Sequence, residues 1–313
     1  MASASVAVRS AVKPFLEKLE AGDSFLVAVS GGADSLALAK AIFIESQPLA
    51  LNAIAITIDH QLQENSHLQA EKVSAQLKEI GYVQVIVQKV VVSLDSGLEA
   101  GARDARYAAI AQSVEETKAV KVFLGHTHND QAETVLLGLA RGSGARSLSA
   151  MAAENGMYLR PLLSITRNET EAACDEWGLK YWNDPHNLNT EFTRVKIRRE
   201  VIPYLEEHLD PGISRALVRT ASLLRDDADA LDLWAEREAT DLECERLATL
   251  PKAIRTRIIR RAALAAGATP GKLTYEQIGA IDALICAWKG QGEVSLAGGV
   301  KVERISGRLS LSR

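Results

Sequence analysis

A glycine turn between an apolar run and a helical pattern is the feature that most constrains the fold. Residues 25–29 read FLVAV and predict a strand, and the chain continues as Ser30, Gly31, Gly32, Ala33, Asp34 and Ser35 before a helix predicted from Leu36. Glycines let backbone N–H groups approach an anion, and the dipole of a helix favours negative charge at its first turn. The turn therefore predicts a phosphate-binding loop.

The first two hundred residues repeat this order of strand and helix. Apolar runs predict strands at 25–29, 53–58, 83–91 and 122–124, and helical patterns lie between them at 36–45, 65–80, 98–117 and 131–140. Continuous apolar strands suit a sheet that is covered on both faces. The order predicts an α/β fold with a doubly wound, mostly parallel sheet.

The pattern changes near Pro211 and predicts a second domain. Helical spacing dominates 213–240, 251–266 and 274–288, and the tail reads as short strands joined by Gly-Gly and Ser-Gly turns. We therefore expect a catalytic domain at 1–210 and a smaller, mostly helical domain at 211–313. A length of 313 residues is comfortable for two domains.

Composition excludes several classes of protein. A net charge of −4 argues against a general nucleic-acid coat protein, although a local basic patch stays compatible with it. The three cysteines form neither a CxxC pair nor a disulfide framework, which favours a reducing cytoplasm. Neither a secretory signal nor a run of about 20 apolar residues is apparent, so we expect no membrane span.

Asp34 distinguishes the loop from a Walker A motif, which would offer a lysine to the phosphates. A carboxylate beside polyphosphate implies Mg²⁺ between them. The string SGGxDS resembles the PP-loop of the N-type ATP pyrophosphatases, which transfer AMP from ATP to a carbonyl oxygen. The resemblance implies that residues 30–35 bind ATP and that Asp34 holds Mg²⁺.

Further stretches resemble the tRNA(Ile) lysidine synthetases within that class. Asp59 and His60 begin a DHxLR-like stretch, and residues 97–107 are similar to NxExxARxxRY, with glycine in place of the asparagine. Residues 124–134 closely resemble LGHxxxDQAET. The likeness continues through RGSG at 141–144, RPLL at 160–163, and the segments 183–187 and 192–198, so that it covers about residues 22–208.

The resemblance implies that ATP adenylates the C2 carbonyl of the wobble cytidine of tRNA(Ile) with a CAU anticodon, and that free L-lysine displaces AMP. It implies catalytic roles for Asp34, Arg106, His126, Asp130 and Arg198. Asp59 and Gly125 would contact ATP, and Asp130 and Glu133 would bind lysine or cytidine. The residues expected to contact tRNA are Arg103, Arg141, Arg194, Lys196 and Arg199.

Other interpretations of these residues stay open at this stage. The loop also fits a tRNA-thiolating enzyme or a nucleotide-binding module without catalysis, although scattered cysteines count against the former. His126, His128 and Asp130 begin like an HxHxDH metal cluster, but Gln131 replaces its last histidine. The arginines at 255, 257, 260 and 261 fit either a tRNA surface or a solvated helix face, and a homodimer is not excluded.

Overall fold

A computed structural model describes residues 3–61, 66–93, 97–184 and 188–313 of the chain. Contacts divide the chain into two units, Met1–Ser222 and Leu223–Arg313. The division lies within a long helix, twelve residues after the domain boundary expected from sequence at 210. No helix in these described ranges has both the length and the apolar character that a bilayer crossing requires.

The first unit is built on a six-stranded sheet. Its strands follow the order β3-β2-β1-β4-β6-β5, and every neighbouring pair is parallel except β5 and β6. Their bounds are β1 Ser24–Ala28, β2 Asn52–Asp59, β3 Val85–Lys89, β4 Lys121–Leu124, β5 Glu154–Asn155 and β6 Tyr158–Leu159. The predicted doubly wound, mostly parallel sheet is confirmed, and β5 and β6 are additions to it.

The helices of this unit are α1 Ala4–Leu16, α2 Ala33–Ser46, α3 Ser66–Ile80, α4 Leu98–Thr117, α5 His128–Ala140, α6 Ala145–Leu148, α7 Arg167–Glu176, α8 Thr193–Lys196 and α9 Ile202–His208. The next helix, α10 Ile213–Glu238, begins in this unit and continues in the second one. A π-helical turn, Ile197–Val201, joins α8 to α9. Turns of this kind are rare in proteins, and those that occur often lie at functional sites. This turn contains Arg198 and Arg199 of the basic segment.

Apolar side chains on both sides of β1 hold the sheet to its helices. Phe25 on β1 and Phe123 on β4 are fully buried, with ring centroids 5.0 Å apart, a geometry that adds about 0.5–1.5 kcal/mol to the burial itself. Ala28 lies in register with Ile56 of β2 and Leu124 of β4. The loops that follow β1 and β4 therefore leave the sheet at the same level.

The strand order reverses between β1 and β4, because the chain adds strands on one side of β1 and then on the other. Ligands of open α/β sheets bind at such a switch point, beyond the carboxyl ends of the strands. The predicted phosphate loop follows β1 and the LGH-like stretch follows β4, so both reach this crevice.

The second unit packs helices against a small antiparallel sheet. It contains α11 Cys244–Thr249, α12 Lys252–Ala265, α13 Tyr275–Cys286, β7 Val294–Ser295, β8 Lys301–Ile305 and β9 Arg308–Ser312, with the strands in that order. Ser306 and Gly307 have φ of 47° and 79° and form the turn between β8 and β9, as the sequence predicts. The expected mostly helical C-terminal region is confirmed.

The four arginines of α12, at positions 255, 257, 260 and 261, form contacts within this unit. Arg255 forms a buried ion pair with Asp282 at 2.5 Å. Arg257 pairs with Asp232 at 2.7 Å and Arg261 with Glu236 at 3.1 Å, while Arg260 donates to backbone carbonyls. Three of these arginines are therefore paired with carboxylates, and the fourth is held by backbone carbonyls.

Candidate active site

A cavity of about 610 Å³ opens at the switch point. Its apolar part consists of Ala28, Val29, Ile56, Ile58 and Leu124, which belong to or follow the three central strands. Its charged part consists of Asp34, Asp130, Glu171, Asp184, Arg106, Arg167, Arg194, Arg198 and Arg199. The cavity therefore combines an apolar wall with a dense set of guanidinium and carboxylate groups.

The phosphate loop is held closed by its own hydroxyls. The backbone N–H of Ser30 donates to Ser35 Oγ at 3.1 Å, and that hydroxyl donates to the carbonyl of Gly32 at 2.9 Å. Gly31 has φ of 89°, and a Cβ there would lie 2.5 Å from Val73 Cγ2, so only glycine fits. Gly32 precedes α2 without a side-chain cap, which leaves N–H groups of the first turn for an anion.

Gly125 holds the loop after β4 against the start of α2. A Cβ at this position would lie 3.0 Å from Ser35 Cα and 3.2 Å from the carbonyl carbon of Asp34. The residue also lines the cavity, as its predicted contact with ATP requires. The close approach of the two backbones therefore explains why this position is a glycine.

Asp34 is held by two residues of α7. Arg167 donates to Asp34 Oδ2 from Nη2 at 3.0 Å and from Nε at 3.2 Å, and the hydroxyl of Thr170 donates to Oδ1. Burial raises the pKa of Asp34, while Arg167 and Thr170 act in the opposite direction. Arg167 Nη2 is also 3.9 Å from Asp130 Oδ1, so one guanidinium lies between two carboxylates.

Asp130 caps α5 and faces the cavity with its other oxygen. Its Oδ2 accepts from the backbone N–H of Thr127 at 2.8 Å and from the Thr127 hydroxyl at 3.0 Å, and Oδ1 lies 3.3 Å from Arg198 Nη2. Burial opposes ionisation, but the Thr127 N–H, Arg167 and Arg198 together lower the pKa of Asp130. Asp130 is therefore an anion in the folded protein.

Glu133 lies one turn further along α5 and makes a bidentate pair with Arg198. The distances are 2.5 Å from Nε to Oε1 and 3.0 Å from Nη2 to Oε2. The sequence places Asp130 and Glu133 on one helical face, and both do contact the same arginine. However, the Glu133 side chain is fully buried and does not line the cavity, so it is not placed to touch a ligand directly.

His126 follows β4 and borders the same cavity. Its Nδ1 is buried without a hydrogen-bond partner. Burial, reinforced by Arg106, Arg160 and Arg103, lowers the pKa of His126 to about 4, although Asp130 acts against this shift. The imidazole is therefore neutral near pH 7.

We expect this neutral imidazole to make stability depend on pH. On unfolding the ring regains a pKa of about 6.5, so from there down to about 4 the unfolded chain binds a proton that the folded chain does not. The free energy of unfolding contributed by His126 should fall with pH by up to about 1.4 kcal/mol per unit. Urea titrations should show the free energy of unfolding of the protein decreasing relative to that of His126→Gln as pH falls from about 6.5 to about 4; a pH-independent difference would contradict the assignment.

The basic residues predicted for catalysis and tRNA binding divide into two sets. Arg106, Arg194, Arg198 and Arg199 line the cavity, whereas Arg103, Arg141 and Lys196 are exposed outside it. Arg103 and Arg106 both contact the ring of Tyr107, at 5.0 and 5.5 Å from its centroid. Burial lowers the pKa of Arg106, so an anion bound beside it would be stabilising.

Asp59 lies beside the main cavity, and its predicted contact with ATP stays a prediction. It is buried, and its Oδ1 accepts from the backbone N–H of Gln61 at 3.0 Å, which supports the left-handed conformation of Gln61 at φ 53°. Asp59 lines a smaller cavity of about 110 Å³ that adjoins the main one, and the two share the lining residues Ser30, Ile58, His60, Trp182 and Asp184. His60 borders both cavities, with Nδ1 unpartnered and with its pKa lowered by burial.

Two elements of the site were missed from the sequence. Arg167 follows Thr166, which begins a capping box with Glu169 that is visible as Thr-x-x-Glu. That pattern predicts a helix start but gives no sign that Arg167 reaches Asp34. Trp182 also lines the cavity, and its backbone N–H donates to the Gly31 carbonyl at 2.9 Å.

The metal-cluster interpretation gains no support from the geometry. Among the residues that the structure describes, no three His, Cys, Asp or Glu side chains form a group able to hold a metal ion. His186, one of the candidate ligands, lies outside the described residues. No cysteine is among the residues that line the cavity, and the Cys174 thiol, which donates to the Ala33 carbonyl, has its pKa raised by burial to about 12.

Known proteins match both parts of the chain. A family model described as a PP-loop domain matches residues 4–205, and one described as the TilS substrate binding domain matches residues 242–310. The solved U34-tRNA thiolase NcsA from Methanococcus maripaludis superposes with a TM-score of 0.57 at 18% identity, covering 70% of this chain and 79% of that one. That likeness supports the fold alone.

Relatives at higher identity extend over almost the whole chain. A tRNA(Ile)-lysidine synthase of Thermobifida fusca is 49% identical over 97% of this chain and 96% of its own length. Those of Streptomyces coelicolor and Mycobacterium tuberculosis H37Rv are 50% and 42% identical, over 91% and 97% of this chain and 84% and 94% of their own. The chain belongs to the tRNA(Ile)-lysidine synthase family.

Proposed function

We propose that this chain uses ATP to ligate free L-lysine to C2 of the wobble cytidine of tRNA(Ile), giving lysidine, AMP and pyrophosphate. One observation carries the proposal: the phosphate loop and the cluster of Asp130 and Arg198 open onto the same cavity at the switch point. A nucleotide bound by the phosphate loop would therefore present its phosphates to Asp130 and Arg198. The relatives named above carry the same activity in their names.

The cavity suits ATP through both of its parts. The apolar wall, which includes Ile56 and Ile58, offers contact to a planar adenine, and the loop at 30–35 offers N–H groups to the phosphates. Transfer of AMP to the cytidine carbonyl converts a poor oxygen leaving group into a good one. We propose that Arg106 and Arg198, which line the cavity, stabilise the negative charge that develops on the phosphate in this step.

Asp34 fits Mg²⁺ that arrives with the nucleotide. Mg²⁺ is usually held by one or two carboxylates together with substrate phosphates, and Asp34 and Asp130 already have a cation between them in the form of Arg167. Bound there, Mg²⁺ would neutralise charge on the pyrophosphate. We propose that Arg167 then turns from the carboxylates towards the phosphates.

Asp130 and His126 are proposed to orient lysine and cytidine. An ionised carboxylate that borders the cavity can bind an ammonium group, while the attacking amine has to be deprotonated. A neutral imidazole offers a hydrogen bond without adding charge to a cavity rich in arginine. Because Glu133 is fully buried, we propose that it acts on the substrate through Arg198.

The second unit is proposed to hold tRNA. Its residues 242–310 match the family model described as a substrate binding domain, which supports a binding role for the region predicted at 211–313. The catalytic motifs all lie before residue 200. The paired arginines of α12 leave fewer cations for RNA than the sequence suggests.

A single assay tests this function. Protein, ATP, Mg²⁺, labelled lysine and a tRNA(Ile) transcript should together give labelled tRNA and one pyrophosphate per lysine. Replacing Cys174, Cys244 and Cys286 by serine should leave lysine transfer largely intact, since none of them lines the cavity. Formation of thiolated cytidine from a sulfur donor, without lysine incorporation, would instead establish the thiolase alternative.

A further inference from the structure

A second open groove lies beside the phosphate loop. It measures about 710 Å³ and runs between α3 and the segment 177–182 that follows α7. Its charged and aromatic lining consists of Lys40, Lys72, Lys180, Trp177, Tyr181 and Trp182, with Glu79 as the one carboxylate. The described catalytic residues Asp34, Asp130 and Arg198 do not line it.

The groove is locally basic in a chain of net charge −4. Within the described ranges, none of its three lysines is paired with a carboxylate. Lys72 and Lys180 are exposed, whereas the three aromatic side chains are half-buried. Trp177 and Tyr181 pack against the core on one side and are partly accessible on the other.

The groove adjoins the active-site cavity at Trp182. Trp182 lines both spaces, and its backbone N–H donates to the carbonyl of Gly31. Gly31 borders the groove, and the next residue, Gly32, borders the cavity. The side chain of Gln76 on α3 donates to the Lys180 carbonyl at 2.9 Å and fixes the segment to the helix. A strand bound in the groove would therefore lie next to a ligand bound in the cavity, with Trp182 between them.

We propose that this groove binds a single-stranded stretch of the tRNA that flanks the wobble cytidine. Unstacked bases are recognised by aromatic faces, and RNA phosphates by lysine. The groove offers both, beside the cavity that would receive the base. The inference rests on the proposed function, because the strand in question is the one whose cytidine is modified.

The contribution of the groove is separable from that of the cavity. Arg194 and Arg199 border the cavity but not the groove, and Lys72 and Lys180 border the groove but not the cavity. Changing the two lysines should therefore weaken tRNA binding and leave the KM for ATP unchanged. Lys78 provides a matched control, because it is an exposed lysine on the same helix that does not line the groove.

The test measures the Kd of unmodified tRNA(Ile) at several salt concentrations for the full chain, Lys72→Ala/Lys180→Ala and Lys78→Ala. We expect the double variant to bind about tenfold more weakly, with a salt dependence reduced by about 0.7 per lost phosphate contact. The Lys78→Ala variant should match the unchanged chain. Quenching of tryptophan fluorescence by an anticodon stem-loop RNA should decrease in Trp182→Phe.

Three outcomes would overturn the inference. They are an unchanged tRNA Kd and salt dependence in the double variant, an equal loss in Lys78→Ala, and a raised KM for ATP with tRNA binding intact. The last would assign the groove to the nucleotide, and the first would leave it for another occupant such as a protein. If the unchanged chain binds tRNA(Ile) but transfers no lysine, the proposed function fails while the binding comparison still decides the groove.

Discussion

Replacing Asp34 by asparagine is expected to reduce tRNA-dependent pyrophosphate release at least about a hundredfold at saturating Mg²⁺. This corresponds to roughly 3 kcal/mol of transition-state stabilisation. The amide keeps the shape of the side chain but cannot replace the charge that Asp34 offers beside the phosphate loop. Circular dichroism should show an unchanged fold, because the carboxylate is already costly to bury.

Thr170→Val provides the control for this experiment. It removes only the hydroxyl that contacts the other oxygen of Asp34 and leaves the carboxylate and Arg167 in place. We expect its rate of pyrophosphate release to fall by less than about tenfold. Near-normal pyrophosphate release by Asp34→Asn would refute the role of the carboxylate, whatever the control shows.

Replacing Arg198 by alanine is expected to lower the free energy of unfolding by about 3–5 kcal/mol, because Glu133 is then left buried without its cation. Burial already raises the pKa of Glu133, and Arg198 is the main group that opposes this shift. Urea denaturation would measure the loss. Arg199→Ala is the matched control: this neighbour is exposed, and its removal should cost no more than about 0.5 kcal/mol.

A second substitution tests the cause of that loss. In Arg198→Ala/Glu133→Gln the buried group is neutral, so much of the lost stability should return, as a double-mutant cycle would show. The single variant should also regain stability as pH falls, since its folded state binds a proton at Glu133 more readily than its unfolded state. A double variant no more stable than Arg198→Ala would exclude an uncompensated carboxylate as the cause.

The parts of the site that are local in sequence could be predicted. The loop at 30–35 and the stretch at 124–134 each combine a strand end with a helix start, and both meet at the switch point because parallel strands end on one edge. Asp130 and Glu133 share a helical face for the same local reason. The doubly wound sheet follows from the order of its elements.

Contacts between distant segments could not be predicted in this way. Arg167 meets Asp34 across 133 residues, and a capping box gives no sign of that partner. Asp59 follows a strand as a ligand-binding residue would, yet its carboxylate supports the backbone of Gln61. The π-helical turn at Ile197–Val201 has no signature in hydrophobic periodicity, although it carries both Arg198 and Arg199.

The two oxygens of Asp130 have separate tasks, and this restricts how the site can change. One oxygen begins α5 through Thr127, and the other faces Arg198 and the cavity. Asparagine would keep an acceptor oxygen for Thr127 but would turn an NH2 group towards Arg198, and alanine would lose both contacts, so only a carboxylate of this length serves both tasks. Glu171 and Asp184 border the cavity and do not cap that helix, so under the proposed function their substitution would change the charge of the cavity without this constraint.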